Sequence, residues 1–390
     1  MRVLIVGAGV MGLAAAEALA TAGHQVVVFE QGGIPNDLAS STDQHRLIRY
    51  PYGTQDGYAA MVAPAYAAWE RLWQRLGRSH YVPTGTLAIS RETADGGNET
   101  WIDRSAAGLT RLGVAHQWLD AEALARRFPL LIHQPGDRGL YLESGGILRA
   151  KPILQSLAAR VAAPGGSLHT RRRVTAIDTE AATVTLAGGG TVSGDLVIVT
   201  AGPWLPDLLA DLLPDLAGRI TPSRQAYAYL QPPAELQDAW ACHPMLLDIG
   251  SGSGGSGSGF YLVPPAAGTG MKVGDHGFSL SGHPDRERDG QPGDVAEALA
   301  MAAEHLVDFE RFQVERVGTC FYTVTADERF IAAPHGAAWI LTGFSGHGFK
   351  FAPLIGEALS EVIAGRQTAD SFRDWISGRP SAMQDAAPAE

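Results

Sequence analysis

The chain has 390 residues, 45% of them hydrophobic and 18% charged, which suits a folded protein of two ordinary domains and excludes a disordered one. With 30 basic and 41 acidic residues the formal net charge is −11, a field that disfavours DNA and anionic membranes but leaves room for a locally cationic pocket. Two cysteines, Cys242 and Cys320, exclude a disulfide scaffold and a four-thiolate metal centre, and no HExxH or close Cys/His set points to a metal.

Residues 2–6 read as a buried parallel strand, 7–12 as a turn, 13–22 as an alanine-rich helix ending at Gly23, and 25–29 as a second strand closed by Glu30. This βαβ unit carries GxGxxG directly after its first strand. Gly7 permits the tight turn, Gly9 lets backbone approach a pyrophosphate, and Gly12 lets helix and strand pack closely. The helix N-terminus offers N–H groups to phosphates, and Glu30 stands where a carboxylate accepts ribose hydroxyls. The pattern predicts dinucleotide binding. The acid disfavours a 2′-phosphate but does not separate FAD from NAD. The opening run imitates a secretion signal, yet its spaced glycines and the following strand argue against one. No apolar run reaches the ~20 residues that span a membrane. A reducing, cytoplasmic location is expected.

Residues 36–58 read as a long polar and basic excursion off this sheet. Helical periodicity resumes over 58–76, with Tyr66, Trp69, Leu72 and Leu76 in apolar positions. A strand at 85–90, a helix at 100–112, a short helix at 120–128 capped by Asp120 and a strand at 140–142 follow. A helix at 149–162, strands at 174–178 and 183–186, and a strong strand at 196–200 return the chain to the first sheet. The nucleotide domain is therefore read as discontinuous. Strands at 224–230 and 260–263, a helix at 294–309, a strand at 339–342 and a helix at 352–363 complete the pass. The basic run 171–173 is too short for nucleic acid and reads as a turn or strand edge. Residues 251–259 are almost pure Gly/Ser, a composition that fits a natural mobile loop and an engineered replacement of a longer one equally well. The tail, 381–390, reads as frayed.

GAGVMG with Glu30, STDQHRLIRYPYG, GMKVGDH, and the pair GTCFYTVTADERF and TGFSGHGFKFAPLIG occur in this order. Together they make the chain resemble, over most of its length, the monomeric sarcosine oxidase-like branch of the FAD-dependent amine oxidases. The resemblance implies an α/β protein: a Rossmann-like FAD-binding domain and a second α+β substrate domain built on a mixed, largely antiparallel sheet. The implied division is 1–80, 145–220 and 321–380 for FAD, and 81–144 and 221–320 for substrate. Implied FAD contacts are Gly7, Gly9, Gly12, Glu30, Ser41, Arg46, Arg49, Val174, Gly202, Trp204, Cys320, Gly343, Gly346, His347, Gly348 and Lys350.

The resemblance joins the flavin 8α-methyl to the sulfur of Cys320; the plainer reading of such a residue is a buried structural thiol. It makes Arg49 and Lys350 a clamp for a substrate carboxylate, a planar donor fork beside a compact charge. Surface ion pairs or phosphate contacts are the alternatives for both. It puts Lys272 where O2 is reduced, against a surface lysine at a turn, and gives His276 and Tyr261 the task of orienting the amine or shaping the pocket. His347 either touches the ring or is a hydrogen-bonded structural histidine. His45 and Asp275 depart from the family pattern. His45 narrows the pocket, alters its water or faces solvent. The implied reaction is FAD-dependent oxidation of a carboxylate-bearing secondary or primary amine, of the sarcosine, N-methyl or cyclic amino acid type, to an imine, with O2 reduced to H2O2. A monomer without nucleic-acid or membrane partners is expected. A dehydrogenase using another acceptor and a non-catalytic flavoprotein sensor remain the alternatives.

Overall fold

The structure is a computed structural model that describes residues 1–91, 99–163, 166–249 and 259–379. The Gly/Ser expectation, Gly259 apart, and the frayed tail lie outside the described residues.

Arg2–Val6, Gln25–Phe29, Gly166–His169 and Leu196–Val199 are parallel neighbours in a six-stranded sheet that Ala338–Thr342 and Ile331–His335 complete. Its inner strands are buried on both faces and are written almost wholly in Val, Ile and Leu. On one face the helix Val10–Thr21 packs against Ala352–Ile363. Gly356 permits this approach: a Cβ there would stand 2.8 Å from the carbonyl oxygen of Ala14. The other face is covered by Leu205, Leu209 and Leu216 and by the antiparallel ribbon from Val174–Asp178 to Thr191–Ser193.

An eight-stranded sheet forms the second layer. In spatial order it runs Gln313–Val324, Thr221–Gln231, Met271–Asp275, Gly259–Val263, Met245–Ile249, Thr86–Ser90, Arg138–Leu142 and Gln117–Asp120. One pair, Met245–Ile249 with Thr86–Ser90, is parallel and the others are antiparallel. The mixed, largely antiparallel sheet is thus present beside the parallel one.

Local chemistry sets several boundaries. Thr100 and Asp103 close a capping box on Trp101–Arg111. The Asp120 carboxylate accepts from the Ala123 N–H at 2.8 Å and starts Ala121–Arg127. The run 171–173 is a turn, with Arg171 at φ 54°. Two readings need correction. The helix read over 294–309 is Ala296–His305, preceded by a 3-10 turn at Pro292–Val295, because the chain is extended at Leu306 and left-handed at Asp308. The stretch 36–58 is not wholly an excursion. Arg46–Ile48 pairs with Gly146–Leu148, which also holds Tyr81–Pro83, in a small sheet between the two layers.

Candidate active site

Two adjoining cavities lie between the layers, with Arg46, Tyr322, Gly346 and Phe349 on the wall of both. The first, about 270 Å³, is walled by the glycine turn and the strand ends of the parallel sheet. Gly7, at φ 101°, turns the chain there, and a Cβ on it would meet the Thr200 carbonyl oxygen at 2.6 Å. Gly9 lines the cavity beside Ser41, whose hydroxyl accepts from the Val10 N–H at 3.0 Å. Gly12 sits behind it, where a Cβ would be 1.9 Å from the Gly7 carbonyl oxygen.

Glu30 is buried at the cavity edge and accepts from Ala8 N, Gly32 N and Asn36 Nδ2, each at 2.9 Å. A carboxylate has about four acceptor positions. One remains for a ribose hydroxyl. Val174, Gly202, Trp204, Gly346 and Gly348 also line this cavity, as do Arg172 and Arg173. The two arginines were not expected, because a short basic run carries no sign of where its turn will fold. Gly343 lies off both linings, against Thr325 and Arg329. A glycine-rich turn at a helix start, with a buried acid at the next strand end, suits a dinucleotide.

The second cavity, about 540 Å³, is lined by Cys320, Lys272, Tyr261, His276, Arg49, His347 and Lys350, and by His45 and Asp275. The large sheet explains the gathering. Cys320, Lys272 and Tyr261 stand on Gln313–Val324, Met271–Asp275 and Gly259–Val263, with only Thr221–Gln231 intervening. The Cys320 thiol is buried beside Tyr227 and Tyr229, and burial raises its pKa against the opposing pull of Arg46 and Lys272.

The opposite wall is cationic. Lys350 is 4% exposed and donates to Tyr52 Oη at 2.8 Å and to the His347 carbonyl at 3.3 Å. Arg49 donates to the Pro51 carbonyl and lies over the rings of Tyr52 and Trp101, at 5.1 and 5.7 Å. Among the described residues neither cation has a carboxylate within ion-pair distance. Burial lowers the pKa of both.

The His276 Nε2 is buried with no partner among the described residues, and burial and the Arg49 charge pull the imidazole pKa down to about 3. Its ring meets Tyr261 edge-on at 5.6 Å. His347 bonds through both nitrogens, to Tyr52 Oη at 3.2 Å and to the Glu328 carbonyl at 3.3 Å, so it has the hydrogen-bonded role while also lining the cavity. His45 does not face solvent: it is 1% exposed and bonds the Gly270 carbonyl at 3.2 Å. Asp275 accepts from the Gly277 N–H at 2.8 Å, and burial raises its pKa.

Sequence reasoning passed over Asp43 and Tyr52, though both stand inside the segment 41–53 it singled out. Asp43 bonds Lys272 at 2.6 Å and Arg46 at 2.8 Å. Its spacing of three from Arg46 was the available signal. No cluster of metal-ligand type and no helix long and apolar enough to cross a membrane occurs among the described residues.

A nucleotide cradle opening onto a cavity with a thiol, a lysine and a cationic wall suits a flavin-dependent oxidoreductase. The chain belongs to the family described as FAD dependent oxidoreductase, whose profile matches residues 2–362. It is 29% identical to the peroxisomal sarcosine oxidase of Homo sapiens, over 92% of this chain and 91% of that one. It is 25% identical to the monomeric sarcosine oxidase of Bacillus sp. (strain B-0618), over 97% and 96%. The fold matches the solved L-proline dehydrogenase from P. horikoshii at a TM-score of 0.80 and 18% identity, covering 97% of this chain and 96% of that chain.

Proposed function

We propose that the protein oxidises a carboxylate-bearing secondary or primary amine, of the sarcosine, N-methyl or cyclic amino acid type, to an imine, with O2 as acceptor and H2O2 as product. The family supplies FAD-dependent oxidation of an amino acid amine. The carrying observation is the pair Arg49 and Lys350, cations without an acidic partner among the described residues, on the wall of the cavity that holds Cys320 and Lys272.

FAD would be held by Gly7, Gly9, Glu30, Ser41 and Arg46 on the nucleotide side and by Gly346 and Gly348 toward the second cavity, and would supply a two-electron acceptor for the amine and a donor for O2. Arg49 and Lys350 bind the substrate carboxylate, and their field favours the neutral amine. The neutral His276 offers Nε2 to the amine nitrogen, and Tyr261 shapes the pocket beside it. Loss of the C–H hydride and the N–H proton leaves an imine, which water hydrolyses. Lys272 supplies positive charge where negative charge grows on O2. Cys320 would tether the cofactor through its sulfur, the thiol S–H and one C–H of the flavin 8α-methyl giving way to the C–S bond while the two electrons pass through the flavin to O2.

We further read residues 1–80, 145–220 and 321–380 as the FAD-binding domain and the rest of the described chain as the substrate domain. A monomer in the reducing cytoplasm is part of the same reading, and the free, exposed Cys242 supports the reducing compartment. The test is a panel of N-methyl and cyclic amino acids read by H2O2 release and by anaerobic bleaching of the flavin. Bleaching with H2O2 release is expected. Bleaching without it, with fast dye reduction, would make the protein a dehydrogenase, and no bleaching by any carboxylated amine would overturn the reading.

A further inference from the structure

Lys272 is not a free cation. Its Nζ lies 2.6 Å from Asp43 Oδ2, and the two side chains are 7% and 1% exposed. Asp43 also accepts from Arg46 at 2.8 Å and from Tyr229 Oη at 2.7 Å. Arg316 stands 3.8 Å away, but its side chain is 55% exposed and water screens it. Further out, Arg288 acts on Cys320 and Asp275 on Tyr322, while the other groups packed around the cluster are neutral. Burial keeps the hydroxyls of Tyr227, Tyr229, Tyr261 and Tyr322 protonated, raises the pKa of the Cys320 thiol and keeps His45 uncharged. Two cations, Lys272 and Arg46, therefore share one anion, and the cluster carries a single net positive charge.

We propose that Asp43 sets the reactivity of the reduced cofactor toward O2, by holding Lys272 in its charged form while offsetting part of the positive field at that place. This rests on the reading that Lys272 faces O2. The two effects of the carboxylate separate with pH. Burial and Arg46 both push the ammonium toward its neutral form, and Asp43 opposes them. On this proposal the ion pair at 2.6 Å is what keeps Lys272 charged through the neutral range against that downward pull. Asn at this position is close to isosteric and keeps a hydrogen-bonding oxygen, but it removes the opposing charge. On the acid side Lys272 and Arg46 then act together with nothing to offset them, and the field at O2 rises. On the alkaline side Lys272 loses its proton and the field falls.

The experiment follows reoxidation of the reduced holoenzyme by O2 across pH in wild type, Asp43→Asn and Lys272→Met. The midpoint potential of the bound flavin is measured against pH as an equilibrium readout. Wild-type reoxidation should be flat through the neutral range, and its potential should slope evenly with pH without a break. Asp43→Asn should reoxidise faster than wild type on the acid side and drop on the order of tenfold through a single titration. Its potential should be more positive than wild type on the acid side and break at the same pH. If Asp43→Asn tracks wild type in both readouts while Lys272→Met slows reoxidation, the role of Asp43 is lost and that of Lys272 stands. If Lys272→Met leaves reoxidation unchanged, the oxygen role of Lys272 fails first. Should Asp43→Asn not hold FAD, Asp43→Ser is read in the same way. A lysine-like step in the wild-type profile within the neutral range overturns the proposal without any variant.

Discussion

Lys350 Nζ and Tyr52 Oη are 2.8 Å apart, and the bond is the first link of a directed chain. The ammonium can only donate, so the phenol accepts and turns its own proton to His347 Nδ1 at 3.2 Å. That leaves His347 Nε2 to donate to the Glu328 carbonyl at 3.3 Å. The chain is satisfied only with a neutral, Nε2-protonated His347. Burial and the charge of Lys350 hold the imidazole pKa well below its usual value, in agreement. Lys350 is thus positioned by neutral groups, with burial and Arg49 pulling its pKa down, so that an anionic ligand is what would favour its charged form.

From this the clamp should act as a unit. Lys350→Met or Arg49→Met should cost about 2–4 kcal/mol in kcat/KM for an amino acid substrate, roughly 30- to 1000-fold. The corresponding amino acid amide should lose little. Tyr52→Phe removes the hydroxyl but not the cation, so a smaller loss, carried in KM, is expected. Steady-state kinetics with the acid and its amide decide this. Equal losses for both would remove the clamp from the account.

Cys320 sits 6% exposed among Tyr227, Tyr229 and Tyr322, where no water-exposed thiol chemistry is available. Replacement by Ala should leave a folded protein, with about 1 kcal/mol lost to the missing sulfur. Acid precipitation should then release the yellow colour into the supernatant, whereas the wild-type pellet stays yellow. Release from wild type as well would show that the thiol is only structural.

At the nucleotide cradle two glycines predict different outcomes. A Cβ on Gly12 would press to 1.9 Å on the Gly7 carbonyl oxygen and 2.7 Å on Thr200 Oγ1, and the Gly7 backbone oxygen cannot move without opening the strand–helix turn. Gly12→Ala should lose at least about 2 kcal/mol of stability together with its FAD. At Gly9 the nearest atom is the Ser41 hydroxyl at 3.2 Å. Gly9→Ala should fold with a near-native melting temperature and still bind FAD poorly, since the new methyl occupies cavity wall. Melting curves with flavin content per chain separate the two.

The parallel strands and their turn were legible because their chemistry is local. A continuous apolar run, a glycine triplet and an acid at Glu30 need no distant partner to be read. Long antiparallel pairing was not. The first half of Gln313–Val324 is exposed and polar, and only its partner Thr221–Gln231 makes it a strand. Met271–Asp275 contains a glycine and two charged residues in five positions, which reads as a loop until Thr221–Gln231 and Gly259–Val263 flank it. Motif resemblance named Lys272, yet Asp43 lies 229 positions away and no pattern in either segment joins them. Side-chain pairing across two sheets is what single-sequence periodicity cannot carry.

Acid should destabilise the protein well before its carboxylates titrate. His45 and His276 are held neutral in the fold, with pKa values pulled down to about 4 and about 3, chiefly by burial. In the unfolded chain each returns to about 6.5. The unfolded state therefore binds more protons between these values, and stability rises with pH there. The contribution is fully present above about pH 6.5 and is lost as pH falls toward 4 and 3. The depressed carboxyl of Asp43 adds a further loss only at more acid pH, because its ion pairs hold it ionised. The unfolding free energy of the holoprotein from urea titrations should fall steadily from pH 7 to pH 4.5, by a few kcal/mol in all. The variant His45→Asn, which keeps a polar group near the Gly270 carbonyl, should flatten that slope. An unchanged slope in His45→Asn would assign the acid sensitivity to other groups.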